Sequence, residues 1–314
     1  MKVRFSILIP AYNRGTIIRQ TIDSVLAQSF TGFEAIVIDD GSTDETPGVL
    51  RSYGDRIKVI RQENSGPEVA RNNAAARSDG EYLVFLDSDD LLHPGALEIY
   101  DRIINEFHAP PLIFGAMTYF EDGQPVCCNS SPIDSIEVLE YRDYLAKEIP
   151  IGMSSSRTVV RKSAFTQIGG YHISAPTTFP LDDFDLAIRM GTSGPCLVVL
   201  KPACVAYRVH KNNTIHNTKE MVNGILRVIK SEHQGRYPGG KSRRFDRYSY
   251  IGGITYHWCK IALKRHHPFM ALRLLKSGWP MVMAGCVKKL GRYLQRHVNS
   301  VTIPLPWNDR LSNR

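Results

Sequence analysis

Residues 82–90 read YLVFLDSDD: an apolar, strand-forming run that ends on three carboxylates within four positions. Unpaired charge beside a core is costly, so something positive or protic is expected at the tip of this strand. Working outward, strand-like runs occur at 3–9, 34–40, 57–61, 82–87 and 111–117, each bounded by Gly, Pro, Asn or Asp. Helical patterns lie between them at 16–28, 43–54, 66–78 and 94–107, several opening on Pro, Ser, Thr or Asp. Strict alternation predicts a mostly parallel sheet with crossover helices, whose ligands bind beyond the carboxyl ends of the strands. The three carboxylates fall at that edge.

Beyond residue 117 the pattern loosens. Strand signals at 154–162 and 194–210 flank a helix-like SAFTQIGG and the polar segment PLDDFDLAIRMGTSG, which reads as a half-buried helix. From about 218 the chain is helical and basic, interrupted at GRYPGGKS, with Tyr and Trp among its cations. Residues 1–200 carry 17 Lys and Arg against 27 Asp and Glu, and residues 201–314 carry 22 against 4. An acidic half that holds cations and a basic half that meets an anionic surface are implied.

Six cysteines without a C-x-x-C pair support neither a zinc site nor a disulfide framework, and adjacent Cys127 and Cys128 read as packing residues. The N-terminal stretch reads as a strand rather than a secretory leader. The apolar run near GWPMVMAGCV falls short of the roughly 20 residues a membrane span needs, so no span is expected, and the scattered cysteines read as reduced thiols of a cytoplasmic protein.

Four clusters sit where the sheet predicts a ligand. PAYNR (10–14) follows the first strand and can bracket a flat ring, or simply form a strand-to-helix turn. DDGSTD (39–44) pairs acids at a strand tip, with Ser42, Thr43 or Asp44 as helix caps. Asp87 and Asp89 project in one direction if the extended conformation continues, which suits Mg²⁺ or Mn²⁺ holding a diphosphate; a helix N-cap accounts for Asp90. In LDDFDLAIR, Asp182 and Asp183 either pair with Arg189 or supply a general base. The phosphate-cradling and dinucleotide glycine loops are absent, which removes hydride transfer and ATP hydrolysis.

In order and spacing, PAYNR, VIDDGSTD, GPEVARNNAAARSDGEYLVFLDSDD and LDDFDLAIR resemble the inverting family 2 glycosyltransferases of the GT-A fold, over about residues 3–215. The resemblance implies a hexosyl- or N-acetylhexosaminyltransferase. It would move a sugar from a nucleotide diphosphate, usually a UDP-sugar, to a glycan or lipid-linked glycan acceptor. By the same likeness Pro10, Ala11, Tyr12 and Arg14 border the nucleotide, Asp39 binds the base, Arg71 contacts the donor and Asp87 lies near the ribose. Asp89 is then the metal ligand, joined by His210, for Mn²⁺ or Mg²⁺, and Asp183 the base. The family often has Glu-Asp where this chain has Asp182 and Asp183.

The implied organisation is a catalytic domain over 1–217, split into a nucleotide-binding half (1–117) and an acceptor-binding half (118–217), then a basic helical region over 218–314. KIALKRHHPFMALRLLKSGW (260–279) and VKKLGRYLQRHV (287–298) suit helices lying on an anionic membrane surface, or helices packed on the catalytic domain with a solvated basic face. A sugar-nucleotide nucleotidyltransferase would need a glycine-rich basic loop after the first strand. A nucleic-acid-binding module is the rival from another class, and no nucleic acid is expected as partner.

Overall fold

A computed structural model of the chain describes residues 3–123, 135–146, 153–173, 180–211, 213–293 and 300–304. The first half alternates as the periodicity predicts: β1 (Phe5–Ala11), α1 (Ile18–Leu26), β2 (Phe33–Asp39), α2 (Thr46–Arg51), β3 (Lys58–Arg61), α3 (Pro67–Ala76) and β4 (Tyr82–Phe85). Then come the two-residue β5 (Leu91–Leu92), α4 (Ala96–Glu106), β6 (Leu112–Glu121), β7 (Ser135–Tyr141), β8 (Thr158–Arg161), α5 (Lys162–Gln167), α6 (Asp182–Met190) and β9 (Cys196–Val209). Helices α7 (Thr218–His233), α8 (Arg244–Lys264) and α9 (Pro268–Tyr293) precede an edge strand, β10 (Ser300–Pro304).

The strands form one sheet in the order β10-β7-β9-β6-β8-β4-β1-β2-β3, with β5 paired to β9. Among the described residues only β5, β7 and β8 run against the common direction. The sheet is therefore mostly parallel and flanked by helices. β1 lies between β2 and β4 in parallel register, with Ala11 beside Asp39 and Leu8 beside Phe85. That register puts PAYNR, DDGSTD and LDSDD at one edge, where each strand hands the chain to a turn.

Alternation along β1 explains the two cores. Phe5, Ile7 and Ile9 face the cluster that includes Ile18, Ile22, Tyr100 and Ile103 of α1 and α4. Leu8 faces the opposite cluster, where Ala70 and Ala74 of α3 meet Phe85, Phe165 and Tyr171. The second cluster runs on without a break into Leu181, Phe184, Ile225, Tyr250, Trp258 and Met281. Helices α7 to α9 are thus packed on the sheet half, and the Phe184 and Tyr250 rings stack at 4.8 Å.

Strands β7 and β10 had no counterpart in the sequence reading. SIEVLEY alternates apolar and polar residues, with Ile136 and Val138 buried, and its pairing with β9 marks it as part of the sheet. β10 adds a strand to a region expected to be helical. Cys196, Cys204 and Cys259 are buried free thiols and Cys286 is an exposed one; Cys127 and Cys128 lie outside the described residues.

Candidate active site

A cavity of about 1300 Å³ opens at the carboxyl ends of β1 and β4. Pro10, Ala11, Tyr12, Arg14, Arg71 and Asp87 line it, as do Asp89, Asp182, Asp183 and His210. The structure therefore gathers in one place all but one of the residues singled out in the sequence. The exception is Asp39. It is buried, with Oδ1 accepting from the Ser42 amide at 2.9 Å and Oδ2 from Arg61 Nη1 at 2.9 Å, while its neighbour Asp40 reaches the cavity wall.

The first two loops are stitched together. Asn13, at φ 52°, accepts the Thr43 amide on Oδ1 and donates its own amide to Ser42 Oγ at 3.0 Å. Asp44 accepts the amides of Thr46 and Gly15, which ties the start of α2 to the first loop, while the N-cap position itself is Glu45 and no side chain caps there. Asp40 accepts the amides of Ser65 and Gly66 at 2.9 Å, which anchors the entry to α3. These bonds satisfy backbone donors that would otherwise lie open at the strand ends.

The carboxylates of LDSDD are not an extended alternation. β4 ends at Phe85, and the Asp90 amide donates to the Asp87 carbonyl at 3.1 Å, closing a turn. Nor does Asp90 cap a helix. It is buried, accepting the Arg208 amide at 2.8 Å and the Ser156 hydroxyl at 2.5 Å, and Ser156 Oγ in turn accepts the Asp87 amide at 3.0 Å. Burial, with Asp87 and Asp89 close by, pushes the Asp90 carboxyl well above the usual range.

Arg208 completes this support. Its Nε donates to the Asp89 carbonyl at 2.8 Å and its Nη2 to Gln20 at 2.6 Å, and Nη1 pairs with Asp122. Sequence reasoning passed over it, although an arginine inside the apolar run CLVVLKPACVAYRV is itself a sign of a buried, partnered charge.

The cation expected at the tip of β4 is Arg71. From α3 its Nη2 reaches Asp87 at 2.6 Å and its Nη1 reaches Asp182 at 2.5 Å, and its guanidinium lies 5.2 Å from the centre of the Tyr171 ring. Arg189, the partner considered for Asp182 and Asp183, instead pairs with Asp185 at 2.7 Å, one turn away and buried, where Asp185 also accepts the Tyr237 hydroxyl at 2.8 Å. Burial raises both carboxyls at the start of α6, Asp183 to about 6, with Arg71 pulling both back and holding Asp182 as its ion-pair partner. Asp182 is fully engaged, since its other oxygen accepts the Asp183 amide at 2.8 Å. Asp183 accepts the Phe184 amide on Oδ1, and among the described residues its Oδ2 accepts no hydrogen bond. A carboxyl poised near neutrality with one open oxygen is suited to proton transfer.

His210, just past β9, places Nε2 3.0 Å from Asp89 Oδ2, and Arg14 Nη2 lies 3.9 Å from the same oxygen. No cluster of three metal-ligating side chains occurs among the described residues. The pair still fits Mg²⁺ or Mn²⁺, which takes one or two protein ligands and fills its other positions with phosphate oxygens and water.

The far wall comes from outside the sheet. Met153, Ser154 and Ser155 line it from the second half, and Tyr256 and Lys260 of α8 and Val282 and Cys286 of α9 close it. A contribution of α8 and α9 to this wall carries no local signal in the sequence.

Comparison with known proteins agrees with this architecture. The chain is 38% identical over 148 residues to TuaG of Bacillus subtilis, named for teichuronic acid biosynthesis; the match covers 46% of this chain and 58% of that one. It is 44% identical over 117 residues to the B. subtilis minor teichoic acid biosynthesis protein GgaA, covering 33% and 26%. The chain spans about a third of the length of several uncharacterized Rickettsia glycosyltransferases that it also matches. Among solved structures, S. aureus TarS with UDP-GlcNAc shares the fold at a TM-score of 0.56 and 17% identity, over 94% of this chain and 93% of that one. A Pyrobaculum calidifontis mannosyltransferase with GDP-Man and Mn²⁺ does so at 0.55 and 17%, over 94% and 81%. Residues 6–163 match the profile of glycosyl transferase family 2, half of the chain, and the chain belongs to that family.

Proposed function

We propose that the protein transfers a sugar, with inversion, from a UDP-sugar to a hydroxyl of a glycan or lipid-linked glycan, in the assembly of a cell-surface polysaccharide. The observation that carries this reading is the Arg71 bridge, which joins the donor-side Asp87 to the α6 acids inside one cavity. The names of TuaG and GgaA support a cell-surface glycan, and the UDP-GlcNAc carried by TarS supports a UDP-sugar.

In this reading Pro10, Ala11, Tyr12 and Arg14 border the nucleotide, and Asp39, buried behind the cavity, holds the loop on the base side in place through Ser42 and Arg61. Asp87, held by Arg71, faces the ribose. Asp89 and His210 hold Mg²⁺ or Mn²⁺, which supplies positive charge to the diphosphate as it leaves. Asp183 takes the acceptor proton on its open oxygen while Asp182, tied to Arg71, keeps the start of α6 in place. A sugar hydroxyl is a weak nucleophile at neutral pH, so removing its proton as attack develops on the face opposite the diphosphate lowers the barrier. In this reading the catalytic unit is the sheet half together with α7 to α9, which share its core and close its cavity, acting on the cytoplasmic side of a membrane.

The test is a donor screen: release of UDP, GDP or dTDP from a panel of nucleotide sugars with Mn²⁺. UDP release, lost on Asp183→Asn, supports the reading. A chain that turns over none of the panel with any acceptor, yet binds no less tightly to an oligonucleotide than to a UDP-sugar, overturns it.

A further inference from the structure

Helix α9 has two unlike long faces. Ala271, Leu274 and Met281 are buried toward α7 and α8, and a Cβ on Gly278 would meet Ile229 of α7 at 2.8 Å. On the other side Phe269, Leu272, Trp279, Met283 and Val287 stand in the open, Phe269 84% exposed and Trp279 61%. Their spacing follows the helical repeat, so they form one stripe about 27 Å long. A lone exposed leucine needs no account, but five large apolar side chains on one stripe mark a contact surface. Ile261, from the same run of sequence, packs inward instead.

Charge selects the partner. Arg273 and Lys276 are exposed among the apolar side chains, and Lys260 and Lys264 stand on α8. Between Asp246 and Asp309 the sequence has no acidic side chain at all. A second copy of this face would set cations against cations, and the core of a protein interface is poor in lysine. An anionic bilayer offers what both features need, a headgroup layer for the cations and acyl chains for the stripe. No helix among the described residues is long and apolar enough to cross a membrane.

The stripe also borders the active cavity. Cys286 and Val282, which line that cavity, are within one helical turn of Met283, and Tyr256 and Lys260 line it from α8. We propose that the α8–α9 hairpin docks on an anionic lipid surface, with the α9 stripe in the headgroup layer and the cavity facing an acceptor carried in that membrane. The docking stands on the stripe alone; the lipid-borne acceptor rests on the glycosyl-transfer reading.

The test floats the full chain with vesicles of equal phosphatidylglycerol and phosphatidylcholine, and with phosphatidylcholine alone. The protein should rise with the anionic vesicles only, come off in high salt, and show a blue shift of Trp emission that Trp279→Phe removes. Ser at Phe269, Leu272, Trp279 and Met283 together should abolish flotation while leaving the melting temperature and donor hydrolysis unchanged, since none of the four lines the cavity. Arg273→Gln with Lys276→Gln should weaken binding about 25-fold, at roughly five-fold per charge. The docking is overturned by an absence of flotation at low salt, by flotation that survives the four-serine change, or by a wild-type dimer that this change makes monomeric. Flotation without turnover of any nucleotide sugar would sink the transferase reading and leave the docking standing.

Discussion

The Arg71 guanidinium sits 2.5 Å from the Asp182 carboxylate although 111 residues separate them in the chain. The contact ties the nucleotide half of the sheet to the start of α6, with Asp87 on the same guanidinium. Arg71 is buried, so its removal leaves the two acids facing each other without a cation.

Arg71→Ala should therefore lower stability by about 3–5 kcal/mol, the usual cost of stranding a buried ion-pair partner. Arg71→Lys should recover only part of this, because one ammonium cannot reproduce the two-armed geometry. Thermal melts at pH 7.5 decide the matter. A melting temperature unchanged in the alanine variant would mean that the bridge is incidental.

Asp183→Asn should cut transfer by roughly a hundred- to ten-thousand-fold, since the amide keeps size and polarity but takes no proton. Donor affinity should stay close to that of the wild type. Asp182→Asn is the comparison: it should disturb Arg71 and donor binding more than proton transfer. If the Asp182 variant alone is dead in single-turnover assays, the acids have been assigned the wrong way round.

With the Asp183 carboxyl raised to about 6, transfer should hold above that pH and fall as pH drops through it, because the base must be ionised. Stability runs the other way. The carboxyl is raised from its ordinary 3.8, so the folded state binds the proton more tightly than the unfolded chain and loses stability as pH climbs from about 4 to about 6. Asp183→Asn should accordingly melt higher than the wild type above pH 6 and alike near pH 4. A flat difference across that window would refute the raised carboxyl.

Asp89→Ala and His210→Ala should each weaken Mn²⁺ binding, read as the titration of the free-ion resonance in the presence of UDP. His210→Ala should cost less, since the Asp89 carboxylate remains as a ligand. Normal Mn²⁺ titration in the Asp89 variant would remove that residue from the metal site.

Gly252→Ala tests how firmly the C-terminal helices are seated. A Cβ there would fall 1.8 Å from the Met281 carbonyl oxygen, so α8 and α9 must part. Thermal unfolding should occur several degrees lower, and activity should decline with it because Tyr256 and Val282 line the cavity. A variant as stable and as active as the wild type would show that the hairpin tolerates separation.

The alternating strands and helices of the first half, the edge at which ligands gather and the acids that meet there are legible in the sequence, whereas Arg71 enters only through the family resemblance. Those features are local: hydrophobic period, turn residues and the break of an apolar run on charge can all be read within a dozen residues. Tertiary structure alone decided the pairings. Arg71 joins Asp182 and Asp87 rather than leaving Asp182 to Arg189, Asp90 supports the loop through Arg208 and Ser156, and α8 and α9 close the cavity. Which charge meets which depends on where separate strands end after the sheet has assembled. Neither hydrophobic period nor residue spacing encodes that distance, and burial, which raises the α6 carboxyls, exists only once the core has closed around them.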